Sequence, residues 1–459
     1  MIVKESALPK GLPKKTGSLC PECKRIVEAT IYESDGKVLM EKTCPEHGRF
    51  TDVYWSDVDL YLKAEKFAYD GVGVTNPLIT NAKVCPNECG LCDLHLSHTS
   101  LANVDLTNRC NLRCPICFAN ANAAGYVYEP SFEEIVRMLE NLRSERPVPC
   151  PAVQFSGGEP TIYPRFLDII RKAKELGFAQ IQIATNGVRI AQDEGFAREL
   201  GLAGLNTIYL QFAVENSDVI RGVNFQPVAF TGRIDREEIE KQRYTLTDLA
   251  HDVEKQTSFA TKEDWFPVPS VVPISTLVSA LVDQPKVTFT SHPHCGLATY
   301  LFVQDKDHVV PLTRFVDVEP LFAELYKLSE RAERSRVKFP SKVKALGILR
   351  KYIHKDKAPE GLDLMKFLRM METVFGDATK EGLAEFSWRM MFVGGMHFQD
   401  AYNYDIERVK RCVIHYAVPD GRIIPFCAYN GGPTYRDEVE RKFSVPIEEW
   451  RKARGTEYT

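Results

Sequence analysis

Cys110, Cys114 and Cys117 stand close together in the chain, with three and then two residues between them. Three thiolates on one tight loop cannot complete the four-ligand shell that a zinc ion needs. They can bind three irons of a [4Fe–4S] cluster and leave the fourth iron open. An all-thiolate donor set is soft and selects such clusters over hard cations. An open iron can chelate a small molecule and pass an electron to it. Leu101, Val104 and Leu106 lead into the loop and predict a short strand, so the thiols lie just past a strand end.

Other donors are spaced for metals too. Cys20-Pro-Glu-Cys23 and Cys44-Pro-Glu-His47 flank Ile26–Ile31 and Lys37–Glu41, which meet around Ser34-Asp35-Gly36 as a hairpin. Two knuckles and a hairpin predict a zinc-ribbon or rubredoxin-like module. Cys20, Cys23, Cys44 and His47 would hold one zinc or iron ion tetrahedrally, as a structural staple. His47 is the weakest of the four ligands, and a cysteine of the next group is its alternative. Cys85, Cys89 and Cys92 repeat the three-then-two spacing and predict an auxiliary [4Fe–4S] cluster, with a structural zinc site as the alternative. His95 and His98 are either extra ligands or exposed loop histidines. Clustered cysteines of this kind are metal ligands of a reducing compartment, not disulfides.

The elements that position these groups alternate strand with helix from residue 100 onward, which predicts a parallel sheet. Ser131 and Glu134 cap a helix over about 131–145. Strand Ala152–Phe155 then runs into Ser156-Gly157-Gly158-Glu159-Pro160-Thr161, where glycines let the backbone approach a ligand closely. A helix over 163–176 follows, then strand Ile181–Ala184 with Thr185-Asn186-Gly187, a helix over 188–200 and strand Thr207–Phe212. At 212/213 the strand meets what reads as the tail of a helix, followed by a strand over Gly222–Phe230 that contains Gln226. About one strand–helix repeat is missing there. Either the barrel is short or residues have dropped out of the sequence.

The CxxxCxxC loop and the Gly-Gly-Glu-Pro run resemble the radical S-adenosylmethionine (radical SAM) superfamily. Ile116 stands where an aromatic residue is usual. The resemblance implies that Cys110, Cys114 and Cys117 hold a [4Fe–4S] cluster bound to S-adenosylmethionine, whose reductive cleavage gives a 5′-deoxyadenosyl radical. It implies nucleotide contacts from Gly157, Gly158, Glu159 and Asn186, and Gln226 joins them as a candidate cofactor contact. No catalytic residue is assigned beyond the cluster. Cys412 and Cys427, bracketing a hairpin, resemble the auxiliary-cluster extensions of the superfamily. Cys295 is a candidate to join them, and Cys150 is a fourth ligand or a free thiol. The expected fold is α/β: a partial (β/α)6 TIM-type barrel at 101–304, one repeat short. A metal module at 1–60 and a cysteine-cluster segment at 61–100 precede it. A C-terminal α+β extension at 305–459 follows it.

Nearly the whole chain resembles one archaeal branch of the superfamily, which holds the tetraether lipid synthases and the pterin methyltransferases known as class D methylases. The first implies carbon–carbon coupling of diether lipid tails, and that is the leading expectation. It carries with it a diether lipid substrate, one or two auxiliary clusters, a reductant such as ferredoxin, and a cytoplasmic protein peripheral to the inner membrane face. Radical methylation of a pterin is one alternative. A non-enzymatic zinc and iron–sulfur module is the other.

The bulk properties bound these readings. The chain has 459 residues, 13 cysteines and a net charge of -4, which gives no general pull towards nucleic acid. Its N-terminal residues do not read as a signal peptide, and Val271–Val282 is too short to span a membrane. Ten basic residues against two acidic ones fall within 331–357, a local field suited to anionic headgroups or simply a solvated helix face. Met365, Met370, Met371, Met390, Met391 and Met396 suggest a pliable apolar wall, or ordinary core.

Overall fold

Apolar side chains at alternate positions make Leu101–Thr107, Ala152–Gly157 and Gln180–Ala184 strands whose two faces differ. One face carries Val104, Leu106, Val153, Phe155, Ile181 and Ile183. It packs on Ile135, Leu139, Ile169, Ile170, Phe196 and Leu200 of the intervening helices. Helix Phe132–Ser144 begins at the predicted cap: Ser131 Oγ accepts from the Glu134 amide, and the Glu134 carboxylate accepts from the Ser131 amide. The structure is a computed structural model. It describes residues 3–114, 117, 119, 121–203, 207–209, 222–227, 229, 242–257, 259–303, 308–359, 390–433 and 435–457.

These strands belong to a six-stranded sheet in the order Thr207–Tyr209, Gln180–Ala184, Ala152–Gly157, Leu101–Thr107, Ile414–Ala417, Ile423–Pro425. The first five run parallel and the last is antiparallel. The C-terminal hairpin thus supplies the neighbour of Leu101–Thr107 that covers its open edge.

The described residues do not trace the predicted barrel. Strand Gly222–Phe225, shorter than expected, does not continue this sheet. It pairs in parallel with Met390–Met396, which pairs antiparallel with Gly296–Val303. Phe266–Pro267 and Val309–Pro311 complete this second sheet of five strands. The described residues therefore show an α/β core of two sheets and do not trace a (β/α)6 ring. Strands from beyond residue 304 enter both sheets. The 212/213 junction lies outside the described residues, as do Met365, Met370 and Met371.

The N-terminal part is an antiparallel sheet of Lys14–Leu19, Ile26–Ser34, Lys37–Cys44 and Gly48–Trp55. Asp35 and Gly36 both take positive φ (51° and 74°), the backbone of a tight two-residue hairpin. The basic segment forms parts of helices Val318–Arg334 and Phe339–Tyr352. Leu325, Ala332, Ala345 and Leu349 face inward, and Arg331, Arg334, Lys344 and Arg350 are exposed. Helix Val272–Val282 is packed in the same core. Among the described residues no helix is long and apolar enough to cross a membrane.

Candidate active site

Parallel strands in register put the loops that follow them side by side. The loop with Cys110, Cys114 and Cys117 follows Leu101–Thr107, Gly157-Gly158-Glu159 closes the next strand, and Thr185-Asn186-Gly187 follows the third. Backbone amides serve two of the sulfurs: Leu112 N lies 3.4 Å from Cys110 Sγ and Ala121 N lies 3.4 Å from Cys117 Sγ. Such N–H donors favour thiolates and suit an anionic cluster. Burial pushes the Cys110 thiol up, with Glu159 and the neighbouring thiols adding to it, so iron binding there must displace its proton. Asn122 braces the loop, giving its amide nitrogen to the Cys110 carbonyl at 2.7 Å and taking the Cys110 amide at 3.0 Å.

The two glycines leave no room for a side chain. Their close approach is to the thiol loop's own backbone. A Cβ on Gly157 would sit 2.3 Å from the Thr107 oxygen, and one on Gly158 would sit 2.2 Å from the Arg109 oxygen. The Gly158 and Glu159 amides donate to these same carbonyls at 2.7 and 2.9 Å. Glu159 is fully buried and its carboxylate accepts from Thr161 N (3.0 Å), Thr185 Oγ1 (2.8 Å) and Asn186 N (2.9 Å). It clamps the second loop to the third. Asn186 Nδ2 in turn donates to Asn111 Oδ1 at 2.7 Å, beside the first cysteine. Gln226, just past its shorter strand, is exposed on the wall of a cavity that Cys114, Cys117 and Gly157 also line.

That cavity holds about 1000 Å³ between the two sheets. Cys114 and Cys117 lie at its edge, and Phe266, Ile274, Phe322 and Leu325 are among its apolar walls. Its floor is polar. Asn103, Gln154 and Gln182 stand in register across three strands and all face it. Gln154 Nε2 donates to Asn103 Oδ1 at 2.9 Å, whereas Gln182 Oε1 has no partner among the described residues. Beside them Asp105 accepts from Ser156 Oγ at 2.6 Å and pairs with Arg436 at 2.7 Å. Sequence reasoning passed over these residues. Their signal was present, as polar residues at every second position of strands expected to be apolar on both faces.

The N-terminal donors converge as expected. The ligand atoms of Cys20, Cys23, Cys44 and His47 all lie within 4.8 Å of one another. A tetrahedral zinc with ordinary bond lengths would set sulfur–sulfur edges at about 3.8 Å and sulfur–nitrogen edges at about 3.5 Å. Cys23 and Cys44 sulfurs are 3.9 Å apart, and His47 Nδ1 lies 3.7 and 3.5 Å from Cys20 and Cys44. The four residues thus fit a single tetrahedral ion, with His47 a full member. Its ring draws the Cys44 thiol down to about 6.

No other group of donors among the described residues is as tight. Cys85, Cys89, Cys92 and Cys412 are electrostatic neighbours, as are Cys295, Cys412 and Cys427. Both sets border Tyr404 or Arg408. Burial pushes Cys85 up to about 12 and Cys427 up to about 11, so these thiols are neutral until metal takes their protons. Cys150 lies in the core of the main sheet, where its thiol donates to the Ala152 carbonyl. His95 and His98 are buried, not exposed. His95 Nε2 lies 2.8 Å from the Cys412 carbonyl and 3.0 Å from His415 Nε2.

Residues 104–228 match the Radical SAM superfamily, and residues 12–56 match the HMPTM N-terminal zinc ribbon domain. A 7,8-dihydro-6-hydroxymethylpterin dimethyltransferase of Methanocaldococcus jannaschii is 44% identical over 503 aligned positions, covering 96% of this chain and 97% of the relative. The chain belongs to that pterin dimethyltransferase family of the radical SAM superfamily. Shorter likenesses reach a GTP 3′,8-cyclase of Limosilactobacillus fermentum (31% identical, 27% of this chain and 38% of that protein). Another is to an Fe-coproporphyrin III synthase of Methanosarcina barkeri (34% identical, 26% and 29%).

Membership implies a [4Fe–4S] cluster and S-adenosylmethionine at the thiol loop. It also corrects the leading expectation, since a match of this extent names a pterin methyltransferase and not a lipid-coupling enzyme. The diether lipid substrate and the membrane role of 331–357 lose their ground with it. The alignment bears on the missing repeat as well: about sixty of its 503 positions have no residue in this 459-residue chain.

Proposed function

We propose that this protein is a radical SAM methyltransferase acting on a reduced pterin. The observation that carries the reading is the 44% identity to the pterin dimethyltransferase over 96% of the chain. The cavity floor is consistent with it. A pterin is a flat ring with amide-like donors and acceptors along one edge, which suits a row of side-chain amides and a carboxylate. The rest of the cavity has to seat the nucleotide. In this reading Cys110, Cys114 and Cys117 hold the cluster; Gly157, Gly158, Glu159, Asn186 and Gln226 shape or contact the nucleotide site. Cys20, Cys23, Cys44 and His47 hold the ribbon ion. Cys85, Cys89 and Cys92 belong to one auxiliary centre, and Cys295, Cys412 and Cys427 to another. When bound, the cluster and nucleotide supply the radical that removes hydrogen, and a low-potential electron donor such as ferredoxin supplies the electron. The protein's residues hold the substrate within reach and keep water out.

The test is anaerobic incubation of the reconstituted protein with reductant, S-adenosylmethionine and 7,8-dihydro-6-hydroxymethylpterin, read by mass spectrometry. Methylated pterin together with 5′-deoxyadenosine is the expected result. Deoxyadenosine without methylated pterin removes the substrate assignment and leaves the radical chemistry.

A further inference from the structure

Arg408 is 2% exposed, in helix Ile406–Lys410. Its guanidinium donates to the His397 carbonyl at 2.5 Å and points at Cys295 Sγ at 3.4 Å. The buried arginines Arg243, Arg411 and Arg436 each face carboxylates. Among the described residues Arg408 has no such ion pair. Its neighbours on that side are the Cys295 sulfur and the Tyr54 ring, whose centroid is 5.8 Å away. A guanidinium cannot shed its proton. A buried charge of this kind needs an anion at hand.

A second observation concerns the same thiols. His397 is 1% exposed and neither ring nitrogen has a partner among the described residues. The Tyr404 hydroxyl is also buried without a partner among the described residues, and the Gln399 side chain is turned to the Cys427 thiol. Gln399 N already donates to Cys427 Sγ at 3.4 Å, and Tyr404 lies near Cys427 and Cys412. Unpaired donors gathered around thiols, with one uncompensated cation, fit a sulfide-rich anionic group.

We propose that Arg408 is the counter-cation of an anionic iron–sulfur centre held by Cys295, Cys412 and Cys427, and that its charge sets the reduction potential of that centre. The proposal rests on reading those cysteines as ligands of an auxiliary centre. A positive charge beside a ligand sulfur stabilises the reduced, more negative form and raises the potential. Arg408 is a tuning residue here and touches no substrate.

The test uses the full chain with Cys110→Ala, Cys114→Ala and Cys117→Ala, so that the radical cluster does not contribute. The protein is reconstituted anaerobically with iron and sulfide, assayed for both, and titrated potentiometrically by electron paramagnetic resonance. The expected result is an iron–sulfur signal altered in Cys427→Ser. It shifts to lower potential in Arg408→Met and stays near the parent in Arg408→Lys. An unchanged potential in a folded Arg408→Met that keeps its iron overturns the role of Arg408 and leaves the centre standing. Sulfide at background in the parent, with iron no greater than the ribbon's single ion, overturns the centre and the proposal with it. Should Arg408→Met lose its iron, Arg408→Lys decides. A near-parental potential there supports the proposal, and equal loss of iron overturns it.

Discussion

Gly158 leaves no space for a side chain, because a Cβ there would lie 2.2 Å from the Arg109 carbonyl. The atom it meets is backbone, and that backbone leads into Cys110. Gly158→Ala should therefore displace the thiol loop and cut 5′-deoxyadenosine formation at least ~10-fold, equivalent to about 1.4 kcal/mol in the barrier. Quantifying the nucleoside by chromatography checks this. Glu145 makes a second residue-scale case. It is 3% exposed, accepts from the Thr99 amide at 3.2 Å, and is pushed up to about 8 by burial. Its folded pKa lies above the unfolded value, so the folded state keeps a proton that the unfolded chain has released. Stability should fall as pH rises from about 5 to about 8, by several kcal/mol at most. Glu145→Gln should flatten that slope, as read from denaturant midpoints at the two pH values.

Strand register decides the next scale. Asn103, Gln154 and Gln182 reach one face because each occupies the same phase of its strand, and parallel pairing lines the three up. Gln154 cannot be replaced by an apolar residue without stranding Asn103 Oδ1, its acceptor. Gln182 differs, since its own oxygen already lacks a partner among the described residues. Gln182→Leu should leave folding intact or slightly more stable while lowering pterin methylation ~10-fold, about 1.4 kcal/mol of transition-state binding. Uncoupled deoxyadenosine formation should persist. Equal methylation by the variant, measured under saturating nucleotide, would remove the amide row from substrate recognition.

Across the whole molecule, the ribbon sheet grips the segment that precedes the C-terminal thiols. Thr16 Oγ1 and the Tyr54 hydroxyl donate to Asp405 at 2.7 and 2.9 Å, and Lys42 donates to the Ala401 carbonyl at 2.7 Å. Arg243 bridges Asp52 of the ribbon and Asp400 of that segment, all three nearly buried. Breaking a buried pair on one side costs about 3–5 kcal/mol. Arg243→Met should therefore lower the unfolding midpoint and speed hydrogen exchange across 400–405. Cys23→Ser, which removes one ligand of the ribbon ion, should speed exchange in the same segment although it lies far away in sequence.

The sequence by itself determined the chemistry that depends on local spacing. Cys110, Cys114 and Cys117 sit on one loop, and the Cys20 to His47 knuckles meet across a hairpin, because neighbours in a chain are neighbours in space. Capping and alternation likewise placed the helix after Ser131 and the first three parallel strands. What local pattern cannot carry is the choice of partner for an edge. Gly222–Phe225 satisfies its backbone against Met390–Met396, and Ile414–Ala417 docks beside Leu101–Thr107, over separations of more than 160 and 300 residues. Either strand would have looked the same in a barrel. Only the tertiary structure decided those pairings, and with them the cavity, its amide floor and the meeting of Arg408 with Cys295. Each of these depends on burial, which a list of residues does not contain.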